Sequence, residues 1–280
     1  MTDSCSITPR RRQVLLAAGA ALVVPAALLR PALALTTADI KKKGVLVVGI
    51  QGDNPPWGFV AANGKQEGFD ADIGRLFAKY LGVKVKFVPL AVANRIPALT
   101  TGRVDILFAT MAMLPDRAKV VQFSKPYVAN QMSVVAAKTT SIKDAADLAK
   151  YTIGVPRSSV QDIDISRIAP KGTRILRFND DAATIQALLS GQVQAIGANQ
   201  FYVERLDAAK PNTFQNKFNL SALYNGACTR LGDKEMNATV NTFIDKIKAD
   251  GELAKVYQHW MHLSPPAFPA SVSGVPFTAH

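Results

Sequence analysis

The sequence predicts an α/β protein of two similar lobes, each a mixed sheet flanked by helices, with two extended segments crossing between them as a hinge. Three observations carry this. The continuous apolar run Val45–Ile50 is the mark of a strand covered on both faces. Phe69, Ile73, Leu76, Phe77, Tyr80 and Leu81 then recur at helical spacing, Gly82 stops them, and Val83–Val88 alternates as a strand with one wet face. Finally, Ile96-Pro-Ala-Leu-Thr-Thr-Gly102-Arg-Val104 returns 89 residues later as Ile185-Gln-Ala-Leu-Leu-Ser-Gly191-Gln-Val193. Both stretches read helix, glycine stop, short strand, polar loop. Two lobes built on one plan enclose a cleft, and clefts between lobes are preferred ligand sites.

The first segment is read as an export signal rather than as structure. Arg10, Arg11 and Arg12 precede the apolar run Val14–Leu29, and Ala32-Leu33-Ala34 supplies the small residues of a cleavage site. The run is too short and too rich in alanine for a membrane span, and no stop-transfer cluster follows it. Arg11-Arg12-Gln13-Val14-Leu15 resembles a twin-arginine signal, and an ordinary Sec signal with an extra arginine fits as well. The mature chain is expected to begin near Leu35, leaving about 245 residues, enough for one large domain or two small ones. Loss of Arg10, Arg11, Arg12, Arg30 and Asp3 lowers the formal charge from +12 to +9. An exported chain with scattered lysines has no stripe for nucleic acid, and a basic soluble surface is the reading adopted. Cys5 leaves with the signal, so Cys228 stays alone and no intramolecular disulfide forms.

The elements in order divide the chain into residues 1–34 (signal), 35–131 and 226–263 (first lobe), 132–225 (second lobe) and 264–280 (flexible tail rich in Pro and Gly). In the first lobe, Gln51–Phe59 is a turn-rich loop carrying Trp57. Asn94 is expected to cap a short helix that tolerates Pro97 in its first turn, with Arg95 solvated beside it. A buried strand spans Val104–Ala109, a loop runs from Thr110 to Leu114, and Pro115 opens a helix with Asp116 and Arg117 in its first turn. In the second lobe, Thr152–Val155 is a strand and Pro156–Gln161 a polar loop into a helix. Ala198-Asn199-Gln200 closes the repeat. Asp233–Met261 is helical with a break at Gly251. Met132–Val135 and Gly226–Thr229 are the candidate crossings.

Ligands of open α/β sheets sit beyond the carboxyl ends of the strands. There the chain offers the Thr110 hydroxyl, free amides and the Arg117 guanidinium, whose planar fork fits a carboxylate. Ser158 and Ser159 stand at a helix start, where hydroxyls and amides favour an anionic or carbonyl group, although a plain cap would use one serine alone. His259 and His262 lie a helical turn apart without a third ligand, so no metal site is assigned. No nucleophile elbow, phosphate loop or dinucleotide fingerprint occurs.

Four motifs in order then resemble a known family: Gly68-Phe69-Asp70-x-Asp72-Ile73, Ile96-Pro97-Ala98-Leu99-x-x-Gly102-x-Val104-Asp105, Pro115-x-Arg117-Ala118-Lys119 and Phe123-Ser124-x-Pro126-Tyr127. Together they resemble the extracytoplasmic solute-binding proteins of family 3, the receptors of polar amino-acid ABC transporters, from about Val45 to Met261. The resemblance implies the type II periplasmic binding-protein fold closing on a ligand by hinge motion. It also implies a periplasmic location, a small carboxylate ligand, a permease partner, a monomer and no cofactor. By position, Arg117 resembles the arginine that clamps the ligand α-carboxylate, helped by Thr110 and the backbone at Ala112. Ser158, Ser159, Val160 and Gln161 resemble the segment reaching the same carboxylate. Trp57 lies at or beside the aromatic wall, with core packing equally open to it.

The chain departs from the family where it has Asn199 in place of the aspartate that holds the ligand ammonium, and Gln51 in place of a frequent acid. The pair Asn94-Arg95 is a further departure, in which the arginine is a possible second cation near the cleft. The competing reading is an enzyme resembling the periplasmic cyclohexadienyl and arogenate dehydratases, which needs a general acid in the cleft. Asp53 and Asp162 are the acids on offer, and no acid–base pair stands at a convincing spacing. A third reading is a sensing partner of a membrane receptor. The sequence is read as a binder, not an enzyme.

Overall fold

The computed structural model describes residues 1–2 and 35–279. The arginine motif, Cys5 and the cleavage site all lie outside the described residues. Strands run in chain order β1 (Val45–Ile50), β2 (Asp53–Asn54), β3 (Gly58–Val60), β4 (Gln66–Glu67), β5 (Lys84–Pro89), β6 (Ile106–Leu107), β7 (Val121–Ala137), β8 (Thr152–Pro156), β9 (Arg174–Phe178), β10 (Ala195–Asn199) and β11 (Phe214–Arg230). The first and last of these sit in one mixed sheet of eight strands, ordered β5-β1-β6-β11-β7-β10-β8-β9, while β2, β3 and β4 form a small antiparallel sheet. β1 lies parallel to β5 and β6, and β8 lies parallel to β9 and β10. Between these two parallel wings run β7 and β11, antiparallel to each other over most of their length.

Alternation along the strands gives each wing a core on both faces. In the first wing, Leu46, Val48, Ile106 and Phe108 join Phe77, Phe243 and Ile244, while Val47, Leu107 and Ala109 face Leu99, Met113, Phe123 and Cys228. In the second wing, Val135 and Ile196 pack with Ile185, Leu188 and Tyr202, and Val134, Ile153 and Val155 pack with Ile142 and Ile165. The internal repeat is structural. Val104 N–H donates to the Ala98 carbonyl at 3.2 Å, as Val193 N–H does to that of Ala187, also at 3.2 Å. Gly102 and Gly191 end the two helices in left-handed backbone, with φ of 74° and 79°.

Three expectations are corrected. The strand expected over Val104–Ala109 is confined to Ile106–Leu107, because Val104 turns back to the helix and Thr110 (φ 47°) swings the chain out. Met132–Val135 pairs with β10 and belongs to the second wing, whereas Cys228 pairs with β6 in the first. The passage between wings is instead made by Val128–Gln131, facing Ala222–Asn225. The tail is docked. Gln122 Nε2 donates to the Pro276 carbonyl (2.8 Å), Asn241 Nδ2 to that of Phe277 (2.7 Å), and Ala279 N–H to Asn237 Oδ1 (3.1 Å). Val275 is buried beside Met113 and Phe123. Turn residues dominate this segment and hide its few apolar anchors from a compositional reading. Truncation after Leu263 is therefore expected to cost roughly 3 kcal/mol or more, from lost Val275 burial and stranded amides, measured as a lower urea midpoint. An unchanged midpoint would refute the docking.

Candidate functional site

The carboxyl ends of the parallel strands converge on one cavity. From the first wing come Gln51 after β1, Asn54 in β2, Val92 and Arg95 around the start of helix Arg95–Thr100, Thr110 after β6, and Arg117 in helix Pro115–Ala118. From the second come Ser159, Val160 and Gln161 after β8, Asp181 after β9 and Asn199 at the end of β10. Asn130 and Met132 of β7 complete the lining. The space between these walls is closed down to about 30 Å³.

Polar side chains bridge it. Gln51 Nε2 and the Tyr202 hydroxyl both donate to Asp181, and the Thr110 hydroxyl donates to Gln51 Oε1 at 2.7 Å. Arg95, only 3% exposed, donates through Nη1 to the Ala109 carbonyl at 2.6 Å and to the Thr110 hydroxyl at 3.2 Å. Arg117 reaches the Ala112 carbonyl at 3.5 Å through Nη1 and, across the cavity, the Ser158 carbonyl at 3.2 Å through Nη2. Asn199 donates to Asn54 Oδ1 at 3.2 Å and accepts from Phe201 N–H.

Burial, with Asp53 nearby, pushes Asp181 up to about 6, although the Tyr202 hydroxyl, Arg95 and Arg205 oppose the rise. Burial likewise raises Asp70 to about 6 against hydrogen bonds from Tyr127 and from Thr110 N–H. Arg117 falls to about 10 through burial and repulsion by Arg95. Arg95 is lowered by burial and held up by Asp181, Asp53 and Asp70. Two guanidinium groups and one easily protonated acid thus share a small polar space. That arrangement suits a carboxylate and a cationic or hydrogen-bond-donating group on one solute. Among the described residues no cluster of three metal-ligating side chains occurs.

Of the residues expected from sequence, Gln51, Thr110, Arg117, Ser159, Val160, Gln161 and Asn199 line the cavity. Ala112 and Ser158 contribute carbonyls to Arg117. The Ser159 hydroxyl is used as a cap, accepting from Asp162 N–H, and Ser158 is exposed with φ 62°. Trp57 is corrected: it is fully buried in the first-wing core, with its ring edge-on to Phe69 (6.0 Å) and Phe201 (5.6 Å). Asn94 is corrected too. It is exposed and forms no cap, because the turn Val92–Asn94 already has helical backbone, which points the side chain away from the free amides. Asp162 faces Arg177 (2.9 Å) rather than the cavity.

Sequence reasoning missed Asn54, Val92, Asn130, Met132 and Asp181, and raised Arg95 as a second cation near the cleft while preferring a solvated side chain. The 89-residue offset that carries Gly102 onto Gly191 also carries Thr110 onto Asn199, both expected, and Val92 onto Asp181, both missed, so the repeat relates the missed pair to each other without marking either.

Two parallel wings joined by two long strands, with the cavity at their strand ends, define the class of two-lobed binding proteins. Residues 46–263 match the bacterial extracellular solute-binding proteins, family 3. The chain belongs to this family and has the type II periplasmic binding-protein fold. It is 28% identical over 219 residues to the L-arginine-binding protein of Pseudomonas aeruginosa, covering 75% of this chain and 85% of that one. Its fold superposes on a solute receptor for L-cysteine of Neisseria gonorrhoeae with TM-score 0.77 and 33% identity, over 81% of this chain and 94% of the other. It also superposes on an ancestral amino acid-binding protein described as a precursor of cyclohexadienyl dehydratase, with TM-score 0.74 and 32% identity, over 80% and 98% of the two chains.

The Asp181 shift has a sign that can be tested. A carboxyl raised from 3.8 to about 6 on folding contributes stability below 3.8 that is lost as pH rises through 6. Acidification from pH 7 to 4.5 should therefore favour the native protein over Asp181→Asn by roughly 2 kcal/mol, read as the difference in unfolding free energy at the two pH values. Parallel curves for the two proteins would contradict the shift.

Proposed function

We propose that the protein is a periplasmic receptor that captures an amino acid or a related small carboxylate and delivers it to an ABC transporter permease. The observation that carries this is Arg117 reaching across one cavity toward the second wing, with Asp181 and Asn199 on the cavity's other wall. A carboxylate can displace the two long carbonyl contacts of Arg117 and take its fork. Asn199 alone left no charged partner for an ammonium, and Asp181 supplies one. A cavity of about 30 Å³ is far below the ~300 Å³ and upward usual for ligand sites. Entry of a ligand therefore requires residues 35–131 with 226–263 to move away from residues 132–225 about the two crossing strands.

Thermal-shift screening against the common amino acids and small carboxylates tests the reading, since a bound solute raises stability by mass action. At least one should raise the midpoint, and silence across the whole panel would end the proposal. With that solute, Arg117→Lys is expected to weaken binding by roughly 1–3 kcal/mol, because lysine keeps the charge and loses the fork. Titration calorimetry measures it.

Export is part of the same proposal. Leu35 N–H donates to Asp233 Oδ1 at 2.9 Å and Thr36 caps helix Thr37–Lys43, so a chain that starts near Leu35 keeps its first residues tied to the fold. Among the described residues no helix is long and apolar enough to cross a membrane. Intact mass of protein recovered from the periplasm should correspond to a chain starting near Leu35, and a full-length mass would contradict this.

A second reading, a dehydratase-like enzyme, draws on the ancestral neighbour and on Asp181, an acid held near 6 inside the cavity. Turnover of a cyclohexadienyl substrate that is lost in Asp181→Asn would favour it over the receptor.

A further inference from the structure

We infer that the cavity selects an acidic amino acid, whose side-chain carboxylate pairs with Arg95 while its α-carboxylate pairs with Arg117. The inference rests on the receptor reading and names the solute class. Arg95 is buried, and its Nη1 is spent on the Ala109 carbonyl and the Thr110 hydroxyl. Its Nε and Nη2 are buried with no partner in the protein. These two donors form the side-on edge of the guanidinium, which meets both oxygens of a carboxylate through parallel bonds. A buried charged donor without an acceptor is costly, so this edge is built for something that enters the cavity.

The nearby carboxylates do not fill that role. Asp181 is engaged by Gln51 and Tyr202, Asp70 by Tyr127 and Thr110 N–H, and Asp53 by the N–H groups of Asp181 and Ala182. Each interacts with Arg95 through space without occupying its open edge. Asn130 adds a complementary orphan: it is 5% exposed, lines the same cavity, and its Oδ1 has no donor. Beside Asp181 it accepts from an ammonium. The site thus offers two forks for carboxylates and one acceptor set for an ammonium.

Other solutes match it less well. A side-chain amide presents one acceptor oxygen and an NH₂ that opposes the second donor. A cationic side chain is repelled by Arg95. A simple dicarboxylate leaves Asn130 without a donor.

Titration calorimetry of the mature protein at pH 7.5 tests this with L-aspartate, L-glutamate, L-asparagine, L-glutamine, L-arginine and glutarate. An acidic amino acid should bind at least ten-fold more tightly than its amide, than L-arginine and than glutarate. Arg95→Lys, which keeps the charge, and Arg95→Met, which removes it, should each reduce that preference by at least ten-fold in the lysine case and abolish it in the methionine case. If one variant does not fold, the other and the wild-type ranking still decide. A neutral or cationic amino acid binding as tightly as the acids, or a preference retained in the variants, overturns the assignment of Arg95 while leaving the receptor reading intact. Binding of glutarate equal to L-glutamate overturns the ammonium subsite. Failure of every amino acid to bind overturns the receptor reading and the inference with it.

Discussion

The antiparallel pairing of β7 with β11 is the constraint on which the rest of the structure depends. Two 17-residue strands run from one parallel wing into the other, so each wing has a complete core yet neither can drift from its partner. The ladder is interrupted where it crosses. Register shifts fall between Asn225 and Gly226 and between Gly226 and Cys228, next to the passage. Such irregularities bend and twist a strand pair locally. Gly226 also sits where a Cβ would lie 3.0 Å from the Ser124 carbonyl, which shows how closely the two backbones approach there. The bend turns the carboxyl ends of both wings toward each other, and everything chemically active in the cavity follows from that.

Convergence of strand ends brings charges together as well as hydroxyls and amides. Arg95 and Arg117 repel each other, Asp181 and Asp53 do likewise, and burial penalises all the charges that it covers. A core selected only for stability would replace such a set with apolar side chains. Its presence where the strand ends of both wings converge is the physical argument that the set answers to a ligand. The same reasoning separates Arg95 from Arg230, which is paired with Asp233 at 3.1 Å and serves the fold.

The legible part of this protein was periodic. Alternation in Val83–Val88, the helical stripe from Phe69 to Leu81 and the glycine stops read correctly because each element's pattern repeats the geometry that buries it. The family resemblance points to Arg117, Thr110 and Asn199, which line the cavity: Asn199 ends β10, Thr110 stands just past β6, and Arg117 lies in the short helix after the following loop. What sequence did not show was side-chain direction at single positions. Arg95 reads as solvated beside Asn94, yet the helix starts one turn earlier and rolls Arg95 inward. Trp57 reads equally as a wall of the cavity or as core, and Phe69 and Phe201 draw it into the core. Asp181 draws no reading from the sequence, since its partners Gln51 and Tyr202 stand 130 and 21 residues away and only the fold brings them together.

The contacts that hold the wings together around the cavity explain how such a site can open. Asp53 accepts from Asp181 N–H at 2.7 Å and from Ala182 N–H at 3.0 Å, placing a carboxylate at the start of helix Asp181–Leu189, where the helix dipole favours it. Arg205 donates to Asn54 Oδ1 and to the Asp53 carbonyl, both at 3.0 Å, and Gln51 reaches Asp181. The apolar contacts across the gap are small: Ala112 with Met132 and Val160, and Trp57 edge-on to Phe201. Water can replace each polar contact at little net cost, whereas separating an apolar interface of equal size would expose surface that water does not compensate. The closed form is therefore held by bonds that exchange with solvent. A solute that fills the same donors and acceptors can stabilise closure without having to overcome a fused core.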